Sequence, residues 1–138
     1  MLTRQAGVCA VLPIYGRAPQ HKCERTVLHM ARVYKEVCNR FGLENVIVMG
    51  DSAGGGLCLA LCEYLSNKKV PLPKMAVLLS PWLDVDMTGE YPNEAEDPTL
   101  SICELTTYGA SYRRDLPVGH YLCSPLFGVV KPLPPLYV

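Results

Sequence analysis

Apolar residues along the first 82 positions alternate between two kinds of run. Three are short and unbroken: GVCAVLPIY at 7–15, ENVIVMG at 44–50 and KMAVLLSPW at 74–82. Their length and β-branched content predict strands buried on both faces, with Pro13 marking an end or an irregularity in the first. The runs between them have helical spacing. Val27, Met30, Ala31, Tyr34, Val37, Cys38 and Phe41 recur on one stripe, predicting a helix from Lys22 to about Phe41. Arg25, Arg32, Lys35, Glu36 and Arg40 then face water, and Gly42 supplies the stop. SAGGGLCLALCEYLSN, at 52–67, predicts a second helix carrying Leu57, Ala60, Leu61 and Leu65 along one side. This order predicts an α/β class: the central portion of a doubly wound, mostly parallel sheet with flanking helices and right-handed crossovers.

After Trp82 the pattern changes. Residues 83–99, LDVDMTGEYPNEAEDPT, are acidic and turn-rich, and the acidic stretch from 84 to 97 reads as a solvated loop or part of a substrate-side surface. Ser101, three residues before Glu104, predicts a capped helix start, with Leu105, Tyr108 and Tyr112 as its apolar face. The tail PLFGVVKPLPPLYV is proline-rich until LYV, which can begin another strand.

Composition narrows the function classes. The 138 residues are 49% hydrophobic and 19% charged, enough to bury about two-thirds of the unfolded chain's surface. Thirteen basic side chains balance thirteen acidic ones, which argues against nucleic acid or an anionic membrane as the main partner. No window approaches the roughly 20 apolar residues of a transmembrane helix. The N-terminal stretch lacks a convincing signal-peptide cleavage site. Seven cysteines, an odd number, read as free thiols of a reducing, cytoplasmic compartment rather than a disulfide framework. Cys58 and Cys62 have a spacing that suits two metal ligands, but no third and fourth accompany them, so they read as core thiols. No metal and no cofactor are expected, and the absence of a GKS-type phosphate loop argues against nucleotide binding.

The sharpest chemical feature is Gly50-Asp51-Ser52-Ala53-Gly54-Gly55, between the predicted second strand and the helix after it. A tight strand-to-helix turn requires small residues at Gly50 and Gly54. It projects the Ser52 hydroxyl above the sheet edge at the positive end of a helix, with the Ala53 N–H placed to stabilise an oxyanion. The competing reading is a close-packed turn with Ser52 as a helix N-cap.

Four segments in order carry a family resemblance. GDSAGG followed by LCLALCEYL, the loop Tyr15-Gly16-Arg17-Ala18-Pro19-Gln20-His21, the run Ser80-Pro81-Trp82-Leu83-Asp84, and Ser124-Pro125-Leu126-Phe127 with Leu133-Pro134-Pro135 resemble the hormone-sensitive-lipase branch of the α/β-hydrolase fold. This branch includes arylacetamide deacetylase-like carboxylesterases. The resemblance implies a small-molecule ester substrate, Ser52 as nucleophile, an acyl-Ser52 intermediate and Ala53 as an oxyanion donor. It also implies an upstream H-G-G-G loop, a triad acid in a G-x-x-D-x-L-x-D-E segment beyond L-P-P, and a later histidine.

None of these three lies within 1–138, which therefore reads as the nucleophile-bearing central section of a partial α/β-hydrolase domain. Little esterase activity is expected of it alone. The alternative is a non-catalytic fold remnant or partner-dependent protein, with self-association through exposed sheet edges. Gly16 and Gly56 replace the arginine and asparagine usual in the family, and Gly56 is expected to weaken its helix start. Ser52, Asp84 or Asp86, and His120 follow the nucleophile–acid–base order, but the resemblance gives Asp84 and His120 no triad role. Asp84 is expected to organise its loop, Asp86 to face solvent, His21 to hydrogen-bond within a loop and His29 to lie at the surface.

Overall fold

The computed structural model describes residues 2–90, 98–128 and 132–138. The part of the acidic segment at 91–97 lies outside the described residues. The elements are α1 (Leu2–Ala6), α2 (Cys23–Phe41), β1 (Ile47–Asp51), α3 (Ala53–Asn67), β2 (Met75–Leu79), α4 (Ile102–Arg113) and β3 (Leu136–Tyr137). The three strands form one parallel sheet in the order β1-β2-β3. Ile47 lies opposite Met75, Asp51 opposite Leu79, and Val77 opposite Tyr137.

The predicted helices form, and each end has a local cause. α2 stops at Gly42, whose φ of 81° suits a residue without Cβ and whose N–H closes the last turn on the Cys38 carbonyl. α4 begins at a reciprocal cap: the Ser101 hydroxyl accepts from the Glu104 N–H and donates to the Glu104 carboxylate. Its inward face differs from expectation. Leu105 and Tyr112 are half-buried, but Tyr108 is exposed, and the buried residue is Gly109, packed against the Val85 carbonyl where a Cβ would overlap it.

α3 is the centre of the core. Rather than one apolar stripe, it buries Leu57, Leu59, Ala60, Leu61, Cys62 and Leu65, almost its whole circumference. Leu59 and Cys62 pack with Ala76 and Leu78 of the sheet. Leu61 and Leu65 pack with Tyr34 of α2 and with Val46. A helix without polar residues over its first ten positions can settle only between two apolar layers, here the sheet and α2.

Two further findings modify the expected sheet. Residues 7–15 are extended but join no ladder among the described residues, and most of their side chains are exposed, Ile14 to 98%. An apolar run becomes a strand only where a neighbouring edge accepts its backbone. The helices cover one sheet face, while Ile47, Met49, Leu79 and Tyr137 stay exposed on the other.

A titratable side chain lies in the core of the described residues without a full set of partners. Glu63 on α3 is 2% exposed and its Oε2 has no hydrogen-bond partner among the described residues. Desolvation raises its pKa from 4.5 to about 8. The folded chain therefore holds this proton while the unfolded chain releases it. The stability present below about pH 4.5 is lost as pH rises to about 8. Glu63→Gln should remove this dependence. In denaturant titrations, the variant should gain roughly 2–4 kcal/mol on the parent between pH 5 and 8. A constant difference across that range would contradict the buried carboxyl's role.

Candidate active site

β1 and α3 meet at a single residue. Ser52 has φ 53° and ψ −118°, a conformation that costs a non-glycine residue about 1–3 kcal/mol. Backbone contacts hold it there. The Ser52 N–H donates to the Leu79 carbonyl at 2.9 Å, extending the β1–β2 contact by one residue. The Ser52 carbonyl accepts from Gly55 N–H (3.0 Å), Gly56 N–H (3.2 Å) and Trp82 N–H (2.9 Å). One peptide oxygen thus joins the first turn of α3 to the segment leaving β2.

The side chain takes no part in this clamp. Ser52 is exposed and its hydroxyl makes no capping hydrogen bond to α3, which argues against the N-cap reading. At the start of the helix the Ala53 N–H has no intrahelical acceptor. The exposed hydroxyl, the adjoining open N–H and the helix's positive end lie together above the C-terminal edge of the sheet.

The glycines around Ser52 have unequal roles. A Cβ on Gly50 would overlap the Gly54 carbonyl, and one on Gly55 would press on Pro81. Gly54, expected to be small for the same reason, has open space at its Cβ position among the described residues. Gly56 is needed for a reason its helix-weakening effect does not reveal: a Cβ there would overlap the Trp82 carbonyl. The turn is therefore closed by Gly50, Gly55 and Gly56, which let β1, α3 and the 80–82 segment approach one another.

Beyond β2 the acidic loop is built around two carboxylates. Buried Asp84 accepts from Asp86 N–H (3.1 Å), Thr88 N–H (2.7 Å) and the Thr88 hydroxyl (2.7 Å), and so organises its loop. Asp86 does not face solvent. Its side chain is 7% exposed, pairs with Arg113 Nε at 2.6 Å, and accepts from Gly119 N–H and the Ser124 hydroxyl. Arg113 and Ser124 were not among the residues expected to matter. Ser124 is fully buried and also accepts from Val85 N–H at 3.1 Å. The S-P-L-F stretch carries a signal for Ser124, whereas nothing local distinguishes Arg113 from other cations at helix ends.

His120 belongs to this loop assembly. Its carbonyl accepts from Cys123 and Ser124 N–H, and its Nδ1 accepts from Leu122 N–H at 3.3 Å. Its ring stacks on Tyr121 and lines an open groove of about 480 Å³ with Asn67, Phe127 and Gly128; Ser52 is not a lining residue. No hydrogen bond among the described residues joins His120 to Ser52. His21 packs over Gly16, where any Cβ would overlap the imidazole, and its N–H bonds the Arg17 carbonyl; His29 is exposed. Cys58 and Cys62 have thiols pushed up by burial to about 11 and about 12. Such thiols are poor nucleophiles.

Comparison with known proteins agrees with this architecture. A family model described as "alpha/beta hydrolase fold" matches residues 1–138. A triacylglycerol lipase of Mycobacterium tuberculosis is 36% identical over 135 residues, which are 97% of this chain and 27% of the lipase. An acetyl-hydrolase of Streptomyces hygroscopicus is 30% identical over 96% of this chain and 46% of its own length. A crystal structure of an esterase/lipase from an uncultured bacterium superposes with a TM-score of 0.88 at 30% identity, covering 98% of this chain and 46% of that one. An esterase of the bacterial hormone-sensitive lipase family superposes with a TM-score of 0.80 at 32% identity, covering 86% and 41%. The chain belongs to the α/β-hydrolase fold family, in its hormone-sensitive-lipase and carboxylesterase branch. It spans less than half the length of these relatives.

The glycine geometry separates two substitutions of the same chemistry. Gly50→Ala should destabilise the chain by about 1–3 kcal/mol, because backbone on both sides must move. Gly54→Ala should be neutral or stabilising by up to about 1 kcal/mol, as for an unobstructed helical glycine. Urea unfolding of both variants checks the difference, and equal losses would contradict the assignment of the close approaches.

Proposed function

We propose that Ser52 is the nucleophile of a carboxylic-ester hydrolase and that the Ala53 N–H donates to the oxyanion formed on its substrate. The observation carrying this reading is the exposed, uncapped Ser52 hydroxyl on a strained strand-to-helix turn. Gly50, Asp51, Gly54 and Gly55 form that turn. Attack of the Ser52 oxygen on the ester carbonyl carbon expels the alcohol and leaves an acyl-Ser52; water then releases the carboxylic acid and restores the hydroxyl. Both steps need a base to take a proton and return it to the leaving group. Among the described residues no histidine bonds Ser52, so these 138 residues by themselves are proposed to form adducts slowly and turn over weakly, as a partial hydrolase domain. Free thiols at all seven cysteines support a cytoplasmic setting.

A fluorophosphonate probe tests this directly. Peptide mass spectrometry should find the adduct on Ser52, and Ser52→Ala should abolish it. Turnover of a short-chain p-nitrophenyl ester should fall at least 100-fold below that of a full-length family esterase. Rapid turnover unaffected by Ser52→Ala would overturn the assignment.

The open sheet face favours a second reading, a non-catalytic chain that associates with copies of itself or with a partner. Ile47, Met49, Leu79 and Tyr137 form exposed apolar surface beside the edge of β1, which is unpaired among the described residues. Sedimentation at micromolar concentration should then show dimers or larger species, and Met49→Lys should shift them towards monomer. A monodisperse monomer for the unsubstituted chain would dismiss this reading.

A further inference from the structure

We propose that Cys23 and Cys123 form a thiol–disulfide switch that, when closed, ties the start of α2 to the His120 loop. Cys23 is the first residue of α2, and Cys123 lies in the turn whose N–H bonds the His120 carbonyl. They are 0% and 3% exposed and share one buried cluster with Val85, surrounded by Trp82, Tyr112, Leu116 and Leu122. The Cys123 thiol donates to the His120 carbonyl at 3.2 Å, and the proximity of the two thiols lowers the pKa of Cys123 and raises that of Cys23. Two sulfurs packed in one buried cluster, on separate segments, can reach the roughly 2.05 Å of an S–S bond by side-chain rotation and approach of the two segments. The other buried neighbours are worse placed. Cys58 and Cys62 are one turn apart on a helix, with Cβ atoms about 5–6 Å apart against the ~3.8 Å a disulfide requires.

The oxidant is a low-molecular-weight disulfide of the glutathione type. The Cys123 thiolate attacks one glutathione sulfur, forming a mixed disulfide and expelling a glutathione thiolate. The Cys23 thiolate then attacks the Cys123 sulfur and expels the second. Two cysteine thiols lose two electrons in all, the glutathione disulfide gains them, and the two thiol protons end on two glutathiones. Burial of both sulfurs makes the exchange wait on local opening of the cluster. The closed form encloses a loop of about 100 residues, long enough for a large restriction of the unfolded chain.

The test uses the whole chain, incubated with oxidised glutathione under native conditions, alkylated and digested without reduction. The expected result is one cross-linked peptide pair holding Cys23 and Cys123. It should be accompanied by a rise in melting temperature of about 10 °C that dithiothreitol reverses. Cys23→Ser and Cys123→Ser should each lose the cross-link and the rise, whereas Cys9→Ser should keep both. Should either core variant fail to fold, the peptide map of the unsubstituted chain decides alone. Glutathione found only on exposed Cys9 or Cys103, with Cys23 and Cys123 recovered as alkylated thiols, would overturn the proposal. So would pairings as scrambled as those formed in guanidinium.

Discussion

The Ser52 carbonyl is the joint on which the core of this chain turns. By accepting from Gly55, Gly56 and Trp82 it fixes where α3 leaves β1 and where the chain departs from β2. The positive φ at Ser52 is disfavoured in isolation, and three N–H donors and the Leu79 carbonyl offset that cost. Once this joint is set, the direction of α3 follows, and with it the wedge of Leu59, Cys62, Leu61 and Leu65 between the sheet and α2. Stability and chemistry are coupled at this point, since the backbone that organises the core also holds the serine hydroxyl in solvent.

A second, polar centre sits across the sheet's C-terminal edge. Asp84 folds its own loop, while Asp86 gathers Arg113 from α4, Gly119 from the following turn and Ser124 from the tail. Distant parts of the sequence thus meet at one ion pair, and Val85, next to Asp86 in the chain, packs in the buried cluster that holds Cys23 and Cys123. The Arg113–Asp86 pair is mostly shielded from water, so it counts for more than an exposed pair such as Lys22–Asp115. Its satisfied hydrogen bonds make it a specifier of the loop arrangement as much as a source of stability.

How much of this was legible depended on the range of the interaction. α2, α3, α4 with its Ser101–Glu104 cap, and all three strands follow from periodicity and local punctuation, because each is decided by residues within a turn or two. The family pattern around Ser52 was visible for the same reason. Gly54 carries no local sign that its Cβ position is open, because whether a glycine is crowded depends on what another segment brings near; in this turn Gly50, Gly55 and Gly56 meet such a segment. The burial of Asp86 has no local signal, because its partners are 27, 33 and 38 residues away. Residues 7–15 have strand composition without a strand's hydrogen bonds, and no local signal distinguishes the two.

The tail shows what long range does to local persistence. β3 is two residues long, exposed, and held to β2 across a gap of sixty positions by a ladder that includes the Pro135 carbonyl and Ala76 N–H. Upstream, its course is secured by the Ser66 hydroxyl on the Pro132 carbonyl and by Gly128 lying close on Glu63. A pairing with so little buried surface and so long a closure forms late and opens readily. The Ala76 amide proton therefore reports on detachment of the tail, whereas those within α3 report on unfolding of the whole chain. The molecule has two tiers of opening, and the C-terminal strand belongs to the looser one.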